Sequence, residues 1–178
     1  MSWIEVECKI KIDDPKTVRE KIKTLGKFVK KERKVDQYYA FEKKGNLPEK
    51  KLRIRDAGHK KIVNFKKGIS YKDGIWAKKE VEFEVSDKNF FNLLDNFGFN
   101  KWIKKEKISE TYKTKDDVNL ELNNVKGLGW FIEIEVLCKK KDIEKARKKI
   151  AELRKKLGYS AKDSERRGYT RQLWELKH

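Results

Sequence analysis

The feature that most constrains the fold is a ten-residue segment in which charged and apolar residues alternate without a break. It reads Trp3-Ile4-Glu5-Val6-Glu7-Cys8-Lys9-Ile10-Lys11-Ile12. Successive side chains of a β-strand point to opposite faces of the sheet, so the two Glu and two Lys side chains share one face. The segment therefore predicts a strand with one apolar face and one fully charged face.

The same Glu-x-Glu pattern returns twice, within residues 80–85 as Glu80 and Glu82, and within residues 131–136 as Glu133 and Glu135. Carboxylates two residues apart on a strand lie about 6.5–7 Å apart on one face. They repel one another unless a cation or a basic neighbour lies between them. A solvated sheet surface would explain one such strand, whereas three copies favour a binding site for cations.

The composition is that of one folded domain over residues 1–178, with either an anionic partner or an unusually repulsive surface. Hydrophobic residues make up 37% of the chain, charged residues 43%, and the net charge is +18. Nucleic acid, acidic lipid and polyphosphate would all balance that charge. The two cysteines, Cys8 and Cys138, form neither a disulfide framework nor a zinc-binding spacing. We see no signal-peptide pattern and no apolar run of about 20 residues, and we expect a cytoplasmic protein with no membrane partner.

Three helices are predicted, each following one of the carboxylate strands. The first begins after the N-cap residue Asp14, with Pro15 at its first position, and ends at Gly26. The second follows Ser86-Asp87 and ends at Phe97-Gly98, and the third follows Asp142 and ends at Leu157-Gly158. We expect these helices to cover the apolar face of a sheet.

The remaining strands are predicted at residues 34–42, 51–56, 61–67, 102–108, 110–113 and 118–122. We expect chain breaks at Gly45-Asn46 and Ala57-Gly58, and a polar loop over residues 68–75. The basic tail, residues 160–178, is expected to dock through a short helix or strand carrying Leu173, Trp174 and Leu176. About eight antiparallel strands of this kind close on themselves to remove exposed edges. The prediction is an α+β fold, a closed eight-stranded tunnel-like barrel with a polar interior and helices outside.

Basic residues are expected on the same interior face as the carboxylates. Two arginines at i and i+2, Arg53 and Arg55, together with Lys9 and Lys66, suit an extended chain of phosphates. Oxygen-only carboxylate sites suit Mg²⁺ or Mn²⁺, which bind through a few carboxylates, phosphate oxygens and water. Nucleic-acid binding would predict basic residues without a matching acidic set, so nucleic acid is not the expected partner. The combination indicates a metal–triphosphate complex.

These motifs together resemble the CYTH superfamily, which contains class IV adenylate cyclases and thiamine triphosphatases and is also called the triphosphate tunnel metalloenzymes. The resemblance starts at Glu5-Val6-Glu7-Cys8-Lys9 and runs through most of the chain. Its further motifs are Leu52-Arg53-Ile54-Arg55, Asn64-Phe65-Lys66, Lys79-Glu80-Val81-Glu82 and the segment from Gly127 to Glu135.

The resemblance implies a metal-dependent enzyme with a role for each motif. The metal ligands would be Glu5, Glu7, Glu80, Glu82, Glu133 and Glu135. The substrate-binding residues would be Lys9, Arg53, Arg55, Lys66, Lys105 and Lys107. The catalytic residues would be Glu5, Glu7, Lys9 and Glu82, with Mg²⁺ or Mn²⁺ as the cofactor.

The chain departs from the family pattern at three places. Lys105-Glu106-Lys107 stands where a Lys-x-Arg motif is common, which removes a bidentate donor. Asn123 stands where an aspartate is common, with Glu121 as a candidate replacement. Gly168-Tyr169 stands where a Ser-Tyr pair is common, which leaves the role of Tyr169 open.

Three functions remain compatible with the sequence. We place first a triphosphatase that releases the terminal phosphate of ATP, thiamine triphosphate or inorganic triphosphate, because it needs only the tunnel. The second is a class IV adenylate cyclase, which also needs a nucleoside pocket. The third is a non-catalytic module that binds polyphosphate, nucleotide or RNA, and the intact Glu pairs argue against it. Whether the chain forms a homodimer is left open.

Overall fold

The structure is a computed structural model that describes residues 3–41, 46–56, 58 and 60–178. The predicted breaks at Gly45 and Ala57 lie outside the described residues. Asn46 and Gly58, the other members of those two pairs, are in bends.

Eight strands and four α-helices occupy the described residues. In chain order they are β1 Trp3–Ile12, α1 Pro15–Leu25, β2 Gly26–Ala40, β3 Lys51–Asp56, β4 Lys61–Lys72, β5 Ile75–Val85, α2 Asn89–Asn96, β6 Asn100–Thr114, β7 Asn119–Val125, β8 Gly129–Cys138, α3 Ile143–Lys156 and α4 Tyr169–Glu175. The strands hydrogen-bond in the order β1-β5-β4-β3-β2-β6-β7-β8, and β8 pairs with β1. The prediction of an α+β fold with a closed eight-stranded antiparallel barrel and helices outside is confirmed. None of the described helices is long and apolar enough to cross a membrane.

The described chain divides into two compact units. The first contains residues 1–33, 66–80 and 107–166, and the second contains residues 34–65, 81–106 and 167–178. Both the first and the second unit have their own hydrophobic cluster.

The core of the first unit forms between the apolar face of β1 and helices α1 and α3. Ile4, Val6, Cys8, Ile10 and Ile12 are all buried there, as the alternation predicted. Helix α1 begins at the predicted cap, where the Asp14 carboxylate accepts hydrogen bonds from the first-turn amides. Val18 and Ile22 of α1 are buried in the same hydrophobic cluster as the apolar side chains of β1. The apolar face of β1 is thus covered, and its charged face is directed away from these helices.

The core of the second unit is smaller and leaves part of one strand uncovered. Tyr39, Ile54, Val63 and Leu94 are its buried residues. We expected helices to cover the apolar side of every carboxylate strand, but Val81 and Phe83 of β5 remain 44% and 48% exposed. Helix α2 has only eight residues. Its Phe90 meets Phe83 edge-on, with the two ring centres 6.2 Å apart, so the helix covers Phe83 only in part.

The predicted loop over residues 68–75 is wrong. Strand β4 continues to Lys72, β5 begins at Ile75, and Asp73 and Gly74 form the connecting turn with φ angles of 50° and 78°. An Asp-Gly pair with both φ angles positive is the signal of a two-residue hairpin whose twist matches its strands. The loop was predicted because glycines flank the segment, but Gly68 lies within the strand.

Other boundaries also differ from the predictions. Strand β2 begins at Gly26, directly after α1, rather than at residue 34. A Cβ atom at Gly26 would lie 2.9 Å from the Lys113 carbonyl oxygen, so the glycine permits a close approach of the two backbones. Residues 102–108 and 110–113 form one strand, β6. The tail forms a fourth helix, whose buried residues are Tyr169, Thr170 and Gln172 rather than the predicted apolar ones.

Candidate functional site

The charged face of the first unit carries a cluster of carboxylates that strand pairing brings together. Antiparallel pairing places Glu7 opposite Glu135 and Lys9 opposite Glu133 on β8. Directly opposite residues share a face of the sheet. Glu5, Glu7 and Glu135 each offer an oxygen, and these three oxygens lie within 4.8 Å of one another. The resemblance assigned all three to the metal site, and the structure brings them together.

Two lysines from the β4–β5 hairpin form ion pairs with this cluster. The Lys66 ammonium group contacts the Glu5 carboxylate and lies 3.5 Å from Glu80. The Lys78 ammonium group contacts the Glu7 carboxylate. Lys78 was missed in the sequence because β5 was predicted to begin at residue 80. Lys78 lies two residues before Glu80 on β5, so the two side chains are on the same face. With the strand beginning at Ile75, alternation predicts this position for Lys78.

A second group of carboxylates on the same face surrounds Lys107. Its ammonium group lies 3.0 Å from Glu121 and 3.3 Å from Glu133. The Asn123 amide donates a hydrogen bond of 2.7 Å to Glu133. An aspartate at position 123 would repel Glu133, whereas the asparagine orients it. Lys107 is therefore held by carboxylates, and its predicted role as a phosphate ligand stays a prediction.

The pKa values of the cluster reflect the crowding of carboxylates. Burial, together with Glu7 and Glu135, raises the pKa of Glu5 well above its usual value despite Lys66. Burial also opposes the charged form of Glu7, but Lys78, a hydrogen bond from the Glu5 carboxyl group, Lys66 and Lys9 outweigh it and hold the pKa of Glu7 well below its usual value. Burial and the nearby Glu121 raise the pKa of Glu135 to about 7. Two of the three carboxyl groups therefore resist ionisation unless further positive charge arrives.

The donor set fits a hard divalent cation. Glu5 Oε1 is buried and accepts no hydrogen bond from a described residue. A buried polar atom normally has a partner, and a cation would supply one here. Carboxylate oxygens are the ligands that Mg²⁺ and Mn²⁺ prefer. In the first unit Glu5, Glu7, Glu80, Glu121, Glu133 and Glu135 share this region with Lys9, Lys66, Lys78 and Lys107.

The predicted arginines lie in the second unit, where Arg55 belongs to a polar cluster around Asp36. Arg55 donates two hydrogen bonds to Asp36, at 2.7 and 3.0 Å, and Lys105 lies 2.8 Å from the same carboxylate. Asp36 is fully buried. Burial raises its pKa, but Lys105 and Arg55 outweigh this effect and hold the pKa well below the usual value. Asp36 was not predicted, because only the folded chain brings residues 36, 55 and 105 together.

Two further predicted residues and Tyr169 also belong to the second unit. Arg53 lies 3.4 Å from Glu82, and the Asn64 amide donates to the same carboxylate at 3.2 Å. The Lys105 ammonium group lies 5.5 Å from the centre of the Tyr169 ring, within cation–π range. The roles of these residues in binding metal or phosphate stay predictions.

Comparison with known proteins decides the family. The CYTH domain model matches residues 3–169. The chain belongs to the CYTH family. Its archaeal relative in Methanocaldococcus jannaschii, named "Putative adenylate cyclase", is 36% identical to this CYTH chain over 135 residues, which is 74% of the chain and 76% of the relative.

Two solved CYTH-like structures show the same fold. The PH1819 protein of Pyrococcus horikoshii superimposes with a TM-score of 0.78 at 30% identity, covering 97% of this chain and 99% of that one. The Hippeastrum protein HpAC1, described as a "putative adenylyl cyclase" with "a dominant triphophatase activity", superimposes with a TM-score of 0.67. At 16% identity over 97% of this chain and 96% of its own, it supports the fold alone.

Proposed function

We propose that this CYTH protein is a divalent-metal-dependent triphosphatase that releases the terminal phosphate of an organic or inorganic triphosphate. The observation that carries the proposal is the meeting of Glu5, Glu7 and Glu135 within 4.8 Å, beside lysines on the same face. Mg²⁺ or Mn²⁺ held there would polarise phosphate oxygens and lower the pKa of a bound water.

The chain's own residues bind and orient the phosphates. Lys66 and Lys78 balance the carboxylates when no substrate is bound, and both can transfer their hydrogen bonds to phosphate oxygens when positive charge reaches Glu5 and Glu7. Lys9 lies opposite Glu133, and burial lowers its pKa. A less hydrated ammonium group gains more from an anionic ligand than an exposed one. Glu133 is held in place by Lys107 and Asn123.

Adenylate cyclase is the second candidate, and the name of the 36% identical archaeal relative favours it. Both reactions begin from the same metal–triphosphate complex. In hydrolysis, water attacks the terminal phosphorus, the bond from that phosphorus to the bridging oxygen breaks, the diphosphate part of the substrate leaves, and the attacked phosphorus is released as orthophosphate. In cyclisation, the ribose hydroxyl attacks the innermost phosphorus and pyrophosphate leaves.

Product identification separates the two candidates. The purified protein is incubated with ATP, thiamine triphosphate and inorganic triphosphate, each with Mg²⁺ or Mn²⁺, and the products are separated by chromatography. We expect orthophosphate. Formation of cyclic AMP with an equal amount of pyrophosphate would identify the protein as a cyclase rather than a triphosphatase. The absence of turnover with every substrate would overturn both proposals.

A matched pair of variants tests the assignment of the site. Glu7→Gln removes one charge from the cluster and should abolish metal-dependent turnover while the protein stays folded. Glu20→Gln makes the same change on the exposed face of α1, where Glu20 pairs with Lys23, and should retain full turnover. Normal activity in Glu7→Gln would remove Glu7 from the site.

A further inference from the structure

An aromatic residue lies directly beside the carboxylate cluster, on the same face of the sheet. The pairing of β1 with β5 places Trp76 opposite Glu7. Lys78, two residues further along β5, contacts the Glu7 carboxylate, and its ammonium group lies 5.7 Å from the centre of the Trp76 ring. The indole of Trp76 is therefore next to the Lys78 and Glu7 side chains, at the side of the proposed triphosphate site.

Trp76 belongs to a cluster of three neighbouring residues, Tyr71, Trp76 and Arg166, which we call the aromatic shelf. The centres of the Tyr71 and Trp76 rings are 4.8 Å apart, with the rings inclined at 49°. The Arg166 guanidinium carbon lies 5.0 Å from the centre of the Tyr71 ring. The Trp76 Nε1 donates a hydrogen bond of 3.2 Å to the Arg166 carbonyl oxygen.

The shelf is fixed in position, yet it is not part of the hydrophobic core. The hydrogen bond to Arg166 sets the orientation of the indole. The indole also lies next to the backbone of the neighbouring strand, since a Cβ atom at Gly68 would be in ordinary van der Waals contact with the ring, at 3.5 Å. Both Tyr71 and Trp76 are partly exposed, and neither packs in the buried cluster of the first unit. Rings held in place but left in contact with solvent bind a planar ligand with little loss of conformational freedom.

We propose that the shelf binds an aromatic heterocycle attached to the triphosphate, so that the substrate is an organic triphosphate rather than inorganic triphosphate. This inference rests on the proposed triphosphate-binding function. The phosphates engage Lys66 and Lys78, and the heterocycle stacks on the exposed part of Tyr71 and Trp76. Arg166 supplies a planar cation that stacks on a heterocycle or donates hydrogen bonds to it.

The kinetic test compares substrates with and without a heterocycle. Trp76→Ala should raise the KM for ATP or thiamine triphosphate about 5- to 150-fold, the change that corresponds to roughly 1–3 kcal/mol for stacking on one aromatic ring. The KM for inorganic triphosphate should change less than twofold. Trp76→Phe, which keeps a ring, should restore most of the lost affinity. Whichever organic substrate responds identifies the heterocycle.

An equal change in KM for organic and inorganic substrates would show that Trp76 is only structural and would overturn the inference. An unchanged KM for both organic substrates would do the same, and in either case the triphosphatase proposal would stand.

A binding measurement covers the case in which no substrate is turned over or Trp76→Ala fails to fold. Tryptophan fluorescence is recorded during titration with ATP, thiamine triphosphate and inorganic triphosphate. Either organic ligand should quench the emission more than inorganic triphosphate does, and Trp76→Phe should lose the difference. Trp174→Phe, which lies outside the shelf, should keep it. Equal quenching by all three ligands, or a difference that survives in Trp76→Phe, would overturn the inference.

Discussion

Replacing Lys107 by methionine tests whether the carboxylates of the first unit depend on internal positive charge. The Lys107 side chain is only 7% exposed and pairs with Glu121 and Glu133. Methionine fills a similar volume but carries no charge. The substitution leaves two carboxylates on the same face without their shared cation.

The expected cost follows from the burial of the pair. Removing one partner of a buried ion pair typically destabilises a protein by about 3–5 kcal/mol, because the remaining charge is uncompensated. For a chain of this length, that loss lowers the melting temperature by about 6–20 °C. Burial alone lowers the pKa of Lys107, but Glu133 and Glu121 outweigh it and raise the pKa above its usual value. The stabilisation by Lys107 is therefore present in full at neutral pH and is lost only as the pH rises beyond about 10.

The assay is urea unfolding at pH 7 in the presence of a chelator, so that no divalent ion replaces the missing charge. Lys104→Met is the matched control, because Lys104 lies three residues earlier on β6 with its side chain 59% exposed. The control should lose less than about 0.5 kcal/mol. A loss below about 1 kcal/mol in Lys107→Met would refute the view that Lys107 balances these carboxylates.

Four other substitutions probe three separate features. Burial and Glu121 raise the pKa of Glu135 to about 7, so the folded state holds more protons than the unfolded state between about pH 4.5 and 7. Metal-free protein should lose stability as the pH rises across this window, and Glu135→Gln should flatten the profile measured by thermal unfolding. Asp36→Asn should cost about 3–5 kcal/mol at pH 7 in urea unfolding. Its difference from wild type should shrink below about pH 4, where the Asp36 carboxylate of the unfolded chain takes up a proton while the folded one stays ionised. Gly74→Ala should cost about 2 kcal/mol or more, because its φ is positive and its Cβ would lie 2.4 Å from Ser164 Oγ. Gly129→Ala, with a positive φ but open space, should cost about 1 kcal/mol; equal losses would refute the steric argument.

Alternation was sufficient to predict β1 and the face that carries the carboxylates. The apolar residues of β1 are stable only on the face that packs against α1 and α3. Its charged residues are stable only on the opposite face, where they meet groups of opposite charge. The cap at Asp14 was predictable for the same local reason, since its carboxylate bonds to amides two and three residues away. The Asp73-Gly74 turn was equally local and could have been predicted from the dipeptide.

Partner choice among the charged residues could not be predicted from local pattern. Lys105 and Lys107 lie two residues apart on β6, yet Lys105 pairs with Asp36 in the second unit and Lys107 pairs with Glu121 and Glu133 in the first. Strand alternation predicts the face of the sheet on which a side chain lies. Which oppositely charged residue it pairs with depends on the register between strands that are distant in sequence. Of the six predicted metal ligands, Glu5, Glu7 and Glu135 bring oxygens within 4.8 Å of one another among the described residues. The metal-binding roles of Glu80, Glu82 and Glu133 stay predictions.

The central claim, that this cluster is a divalent-metal site, is tested most directly by Mn²⁺ binding measured by electron paramagnetic resonance of the unbound ion. Wild-type protein at pH 7.5, with and without a triphosphate, should show saturable binding. Glu7→Gln should lose it, and Glu20→Gln should keep it. Saturable binding that is equal in Glu7→Gln and wild type, or no binding by the wild type with triphosphate present, would contradict the account.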